Sequence, residues 1–241
     1  MTRTPSNVRP FSHGGDDSLG LHRDDRPAPA GTGTDLTRPA ERLGMRQFVV
    51  VAHEAPLDPD FSLSDLAGSG RVDLLCRCLN AAFLTSHGIR EDVRAYLVVR
   101  DAASVRFDGR ELRHLHPDER STAALIREAL ATRAEAVGHR EVESTPGVFV
   151  SKRGLDDVLG AIETDGPVIQ LHEDGTPAPE VAPPPSPTFV LSDHRDLTDE
   201  EAALVAEHAD ERVSLGPERI HADHAIAVAH NFLDTEGYSR Y

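Results

Sequence analysis

Long apolar runs are missing from this sequence. No stretch of about 18 apolar residues occurs, so a helix crossing a membrane is not expected. The first residues also lack the basic-then-apolar order of a secretory signal. Cysteine is nearly absent, with only Cys76 and Cys78. Two positions apart on a helix they would point in widely different directions, which disfavours a disulfide or a shared metal. A cytoplasmic, disulfide-free protein is the expectation. Lysine is scarcer still. Lys152 is the only one, so 24 of the 25 basic residues are arginine, set against 41 acidic residues and a net charge of −16. Acid in excess with almost no lysine is the surface of a protein adapted to high internal salt. There the Debye length shrinks to about 3 Å near 1 M and carboxylates repel one another weakly. A GC-rich genome would explain the arginine and alanine, but not the acid.

What is present falls into two parts. A chain of 241 residues holds one sizeable domain, or one domain and a tail. Residues 1–44 read as a disordered N-terminal tail of Pro, Gly, Ser, Thr, Asp and Arg, or as sequence ahead of a true start at Met45. Six acidic residues there balance six arginines, so the whole net charge belongs to residues 45–241. The second part opens abruptly on Met45-Arg46-Gln47-Phe48-Val49-Val50-Val51, like the first strand of a domain.

Phe48 to Ala52 has the pattern of a buried strand. Asp58 to Ser69 is a loop. Gly70 to His87 reads as a helix whose apolar positions Leu75, Leu79, Ala82 and Phe83 follow i, i+4, i+7, i+8, with Gly88 as a left-handed cap. Val93 to Val99 is the next strand. Asp108-Gly109 between short alternating runs gives a hairpin signal over Ser104 to Leu112. Helices follow at Ser121 to Ala136 and Leu155 to Ile162, and strands at Val148 to Val150 and Val168 to Leu171. Thr176 to Pro187, proline-rich, is a stiff connector. Then come a strand from Thr188 to Leu191, a helix from Thr198 to His208 with Thr198 and Glu201 as a capping box, a strand from Val213 to Leu215, and a last helix from about Ala222 to Asp234. Strands alternating with helices point to the α/β class, a mostly parallel sheet with flanking helices.

Two strand ends invite a ligand, Leu191-Ser192-Asp193 and Leu215-Gly216-Pro217. Strand C-termini of an open α/β sheet are where ligands usually bind, and backbone N–H groups are free there. On spacing alone, the same residues are equally two ordinary strand-to-helix turns. No Gly-x-Gly-x-x-Gly occurs, which argues against a conventional dinucleotide site or a standard Gly-rich methyltransferase loop. Asp73, Arg77 and Asn80 form a polar stripe at i, i+4, i+7, either a fork that aims Arg77 at a phosphate or base, or a solvated helix face. His221 and His224 stand at i, i+3. With no further spaced ligand they read as structural histidines, or as one histidine lining a ligand site, rather than as a metal pair. No Ser-His-Asp nucleophile elbow and no paired-carboxylate signature appear.

Taken together, Met45 to Val51, Gly70 to Ala82, Ser86-His87-Gly88-Ile89-Arg90, Phe189 to His194, Ser214 to Pro217, Ala222 to Ile226 and His230-Asn231-Phe232-Leu233-Asp234 resemble the archaeal tRNA pseudouridine-54 N1-methyltransferases, a family of the SPOUT superfamily. The resemblance spans Met45 to about Asp234. It implies a SPOUT methyltransferase domain over 45–241, an α/β fold with a C-terminal trefoil knot at roughly 187–236, and a homodimer. It also implies S-adenosylmethionine as cofactor and tRNA as substrate. Leu191 and Gly216 would contact the cofactor through backbone groups, with Ser192, Leu215, His224 and Ala225 beside them. The family pattern often places Gly where Ser192 stands and Cys where Ala225 stands. Asp73, held by Arg77, becomes the candidate base or base-orienting group, and Arg46, Asn80 and Arg90 the candidate RNA contacts. A small-subunit rRNA pseudouridine N1-methyltransferase, and a non-catalytic RNA-binding or assembly protein with a degenerate knot, are the rival readings.

Overall fold

The apolar run after Met45 lies at the centre of the molecule. In the computed structural model, which describes residues 44–241, all seven residues of strand β1 (Arg46–Ala52) are buried. The tail expected at 1–44 lies outside the described residues apart from Gly44. A strand with neighbours on both edges and helices on both faces reads as a continuous apolar run, and Phe48 to Ala52 of β1 does. The order continues with α1 (Val72–Phe83), β2 (Leu84–Thr85), β3 (Gly88–Ile89), β4 (Val93–Val99), β5 (Ala103–Asp108), α2 (Glu119–Thr132), β6 (Val142–Thr145), β7 (Val148–Ser151), α3 (Leu155–Ile162), β8 (Val168–Pro177), β9 (Thr188–Ser192), α4 (Asp199–His208), β10 (Glu211–Ser214) and α5 (Ala222–Asp234).

Eight strands form one sheet in the order β10-β8-β9-β1-β4-β5-β7-β6. The five from β10 to β4 run parallel, and β5, β7 and β6 add an antiparallel end. The sheet is therefore α/β and mostly parallel, as the alternation of strands and helices implied. Period-two alternation divides β1 between two cores. Phe48 and Val50 face α1, α2 and α5, whereas Val49 and Val51 face α3 and α4. Phe48 stacks on Phe189 of β9 with centroids 5.6 Å apart. Each such fully buried side chain contributes about 1.5–3 kcal/mol by area removed from water.

Three local expectations need correction. Asp108-Gly109 does not turn a hairpin. The hairpin joins β4 to β5 through Arg100 and Asp101, both at positive φ. Asp108 is instead drawn into ion pairs with Arg94 and Arg106. Gly109 is needed because a Cβ there would lie 2.0 Å from the Arg90 carbonyl oxygen. The first helix stops at Phe83, and the small β2–β3 ladder follows, so Gly88 is a strand residue and not a left-handed cap. A further hairpin, β6–β7, turns at Gly147 with φ +78°. Both cysteines are buried and unpaired on α1.

Candidate cofactor pocket and the charged cluster beside it

The pocket exists because three strands part company. β9 keeps register with β1 as far as Ser192, but with β8 only as far as Val190 opposite Gln170. β8 pairs with β10 through Gln170, loops out over residues 171–175, and rejoins at Thr176 opposite Val213. Only glycine fits at the rejoining point, since a Cβ on Gly175 would lie 2.6 Å from the Val213 carbonyl carbon. An isolated glycine inside a strand pattern is the sequence sign of such a bulge, and it was there to be read. The edge of Leu191 and Ser192 that would face β8 thus has no partner strand.

That edge opens into a cavity of about 720 Å³ at the C-terminal ends of the parallel strands. Leu191, Ser192, Leu215, Gly216, His224 and Ala225 all line it, so the structure gathers the six cofactor candidates around one space. Ser214 Oγ donates to the Gly216 carbonyl at 2.9 Å and shapes the Gly-Pro turn. Ser192 Oγ donates to the Arg195 carbonyl. His224 is exposed, its ring in a T-shaped arrangement with His221 at 6.1 Å.

The end of β9 is pinned by a residue with no signal in the sequence. His53 follows β1. Its Nδ1 lies 2.9 Å from Asp193 Oδ1 and its Nε2 2.9 Å from Glu201 Oε2, while its backbone N–H donates to Asp193 Oδ2 at 2.8 Å. A carboxylate on each ring nitrogen favours the protonated imidazole, which can donate to both. Burial alone would lower its pKa, but the two carboxylates outweigh burial and raise it. Glu201 also completes the capping box with Thr198 at the start of α4.

Beside the pocket the first turns of three helices meet at Arg77. Its guanidinium lies 2.9 Å from Asp73 of α1, 3.2 Å from Asp223 of α5 and 3.3 Å from Glu119 of α2. Asp73 also receives Arg71, at 2.9 and 3.2 Å. Burial would raise the Asp73 pKa, but the two guanidinium groups prevail and hold it at about 2. Asn80 donates to the Pro117 carbonyl at 3.2 Å and accepts from the Thr122 hydroxyl at 3.2 Å, so it fastens α2 to α1.

Two RNA candidates lie away from the cavity and are paired with carboxylates. Arg46 is 1% exposed and held by Asp92 at 3.1 Å and Asp234 at 2.8 Å. Arg90 is held by Asp234 at 2.6 Å. Both stand at the N-terminal end of the parallel strands, opposite the pocket. Arg46 opens β1 and Arg90 precedes β4, and Asp234 at the end of α5 pairs with both guanidinium groups. His230, hydrogen-bonded to Arg46 and the Ala82 carbonyl, is a structural histidine whose pKa burial pushes down to about 3.

Residues 45–238 match the family model described as "Putative SAM-dependent RNA methyltransferase". A protein of Haloferax volcanii named tRNA (pseudouridine(54)-N(1))-methyltransferase is 62% identical over 198 residues, 82% of this chain and 100% of that one. A protein of the same name from Methanococcoides burtonii is 43% identical, over 79% of this chain and 96% of that one. The chain belongs to the tRNA (pseudouridine(54)-N(1))-methyltransferase family. The fold of this family member is shared with a solved structure, Archaeoglobus fulgidus Nep1 bound to S-adenosylhomocysteine. That structure is 15% identical, covering 78% of this chain and 97% of that one at a TM-score of 0.57.

The cavity fits the cofactor of such a family. Its volume suits a nucleoside joined to an amino acid. Leu191, Leu215 and Ala225 give apolar wall, and the unpaired edge of β9 with the Gly216 turn gives backbone donors and acceptors.

Proposed function

We propose that the protein transfers a methyl group from S-adenosylmethionine to N1 of the pseudouridine at position 54 of tRNA. The observation that carries this reading is a cavity of cofactor size walled by Leu191, Ser192, Leu215, Gly216, His224 and Ala225, in a chain of this family. S-adenosylmethionine supplies, when bound, a methyl group already activated on a sulfonium. The protein's own tasks are alignment and removal of one proton from an imide-like N–H. At a pKa of about 2, Asp73 is a weak proton acceptor near neutral pH. Its part is to fix Arg77, which in turn ties the first turns of α1, α2 and α5 beside the cavity. Ala225, 9% exposed on the cavity wall, offers apolar surface where a cysteine would add a side-chain contact. The main-chain contacts of Leu191 and Gly216 do not depend on it.

We propose further that residues 187–236 are threaded as a trefoil knot and that the chain acts as a homodimer in the cytoplasm. Support for the knot comes from the strand order. β10 lies outside β8, β9 lies inside it, and α5 returns to pack on α1.

The test is mass mapping. A tRNA transcript carrying pseudouridine 54 is incubated with protein and cofactor, digested, and weighed. One added methyl on the fragment containing position 54 is expected, and none on a transcript with uridine there. Methylation of a small-subunit rRNA transcript instead would move the substrate. Failure to bind S-adenosylhomocysteine in calorimetry would remove the cofactor.

A further inference from the structure

The three arginines first assigned to RNA or to its alignment are all taken up by carboxylates. Asp92 and Asp234 hold Arg46, Asp234 holds Arg90, and Asp73, Glu119 and Asp223 surround Arg77. A polyanion must be met elsewhere, because its affinity comes from cations free to replace condensed counterions. Charge is distributed unevenly along the chain. Residues 45–140 carry 14 acidic and 13 basic side chains, whereas residues 141–241 carry 21 acidic against six basic.

Within the first segment, the loop after β5 and the region of α2 hold Arg110, Arg113, Arg120, Arg127, Arg133 and Arg140. Among the described residues none of these has a carboxylate within 4.0 Å. Arg110, Arg113 and Arg120 are exposed. Arg113 donates through one amino group to the Leu112 carbonyl at 2.8 Å, which anchors the guanidinium without neutralising it. Arg120 stands in the first turn of α2, where the helix dipole disfavours a cation. In the same loop exposed His114 adopts φ +62°, a left-handed backbone that carries a steric cost. A chain with so many acidic residues has placed unpaired cations and strained backbone together.

This surface is joined to the pocket through the cluster already described. Asn80 holds the Pro117 carbonyl and Arg77 holds Glu119 at the start of α2. Arg77 also holds Asp223, whose neighbour His224 lines the cavity.

We propose that residues 110–117 and the first turns of α2 form the surface that grips the phosphate backbone of tRNA and presents the target nucleoside to the cavity. The proposal rests on the tRNA reading above. Its test uses the full chain with two exposed double substitutions, Arg113→Glu with Arg120→Glu, and Arg113→Gln with Arg120→Gln. Affinity for a tRNA transcript is read by fluorescence anisotropy across a potassium chloride series, and affinity for S-adenosylhomocysteine by calorimetry on the same samples. Cofactor-product affinity should stay within about twofold of wild type. Binding of tRNA should weaken at least about tenfold in the charge-reversed variant. In the neutral variant, the slope of log affinity against log salt should fall by about two units, one for each phosphate contact removed. Wild-type affinity and slope in both variants overturn the proposal. Joint loss of cofactor-product and tRNA binding in both also overturns it, since the arginines would then serve the fold. A wild-type protein that binds no tRNA removes the tRNA reading itself, and the proposal with it.

Discussion

At the scale of single residues, Asp73 shows how far a spacing rule reaches. The i, i+4 relation to Arg77 was legible, and the pair forms at 2.9 Å. The second guanidinium, from Arg71 just before α1, and the carboxylates of Glu119 and Asp223 were not legible, because they arrive from a left-handed cap residue and two other helices. Those partners decide the chemistry, since they make Asp73 a strong anchor and a weak base. Asp73→Asn should therefore lower turnover at least about tenfold, about 1.4 kcal/mol of barrier, with S-adenosylhomocysteine affinity unchanged. Turnover equal to wild type would sink the anchoring role. The charge has a linkage consequence too. Because the folded pKa is depressed from 3.8 to about 2, the stabilisation is present above about 4 and disappears as pH falls through about 2.

Elements were placed by hydrophobic period, and their ends by tertiary contacts. Buried runs located β1, β4 and β9, and the Thr198 capping box located α4. The Asp108-Gly109 pair has the composition of a hairpin turn yet ends a strand, because Asp108 is 3% exposed between two arginines. The joint of β1, β9 and α4 at His53 gives this scale its test. A raised histidine pKa contributes stability fully present below the unfolded value of 6.5 and lost as pH rises through the folded value. The melting temperature of the wild type should exceed that of His53→Gln most near pH 6, and the gap should narrow toward about pH 9. A gap independent of pH over that range would show that the imidazole is neutral.

For the whole molecule the governing quantity is a net charge of −16, nearly all of it on residues 141–241. Near 0.1 M salt the Debye length of about 10 Å lets these carboxylates repel across several neighbours, and near 1 M, at about 3 Å, they do not. Raising potassium chloride across that range should lift the melting temperature on the order of 5–10 °C, at about 2–4 °C per kcal/mol for a chain of this size. A flat response would mean that the acidic excess does not strain the fold. The relatives from haloarchaea fit the expected direction.

Some of this was settled by the sequence alone. The order of strands and helices other than β2, β3, β6 and the β4–β5 turn, the excess of acid and the two strand ends at Leu191-Ser192 and Leu215-Gly216 are local properties, carried by period, composition and turn chemistry. The cavity between those ends, the burial of Arg46 and the His53 bridge belong to the tertiary structure. They depend on where β8 leaves its neighbours and on ion pairs between residues 140 to 188 positions apart, such as Arg46 with Asp234. An arginine's charge is written in the sequence, but whether it is free to meet a phosphate depends on which carboxylates the fold brings to it.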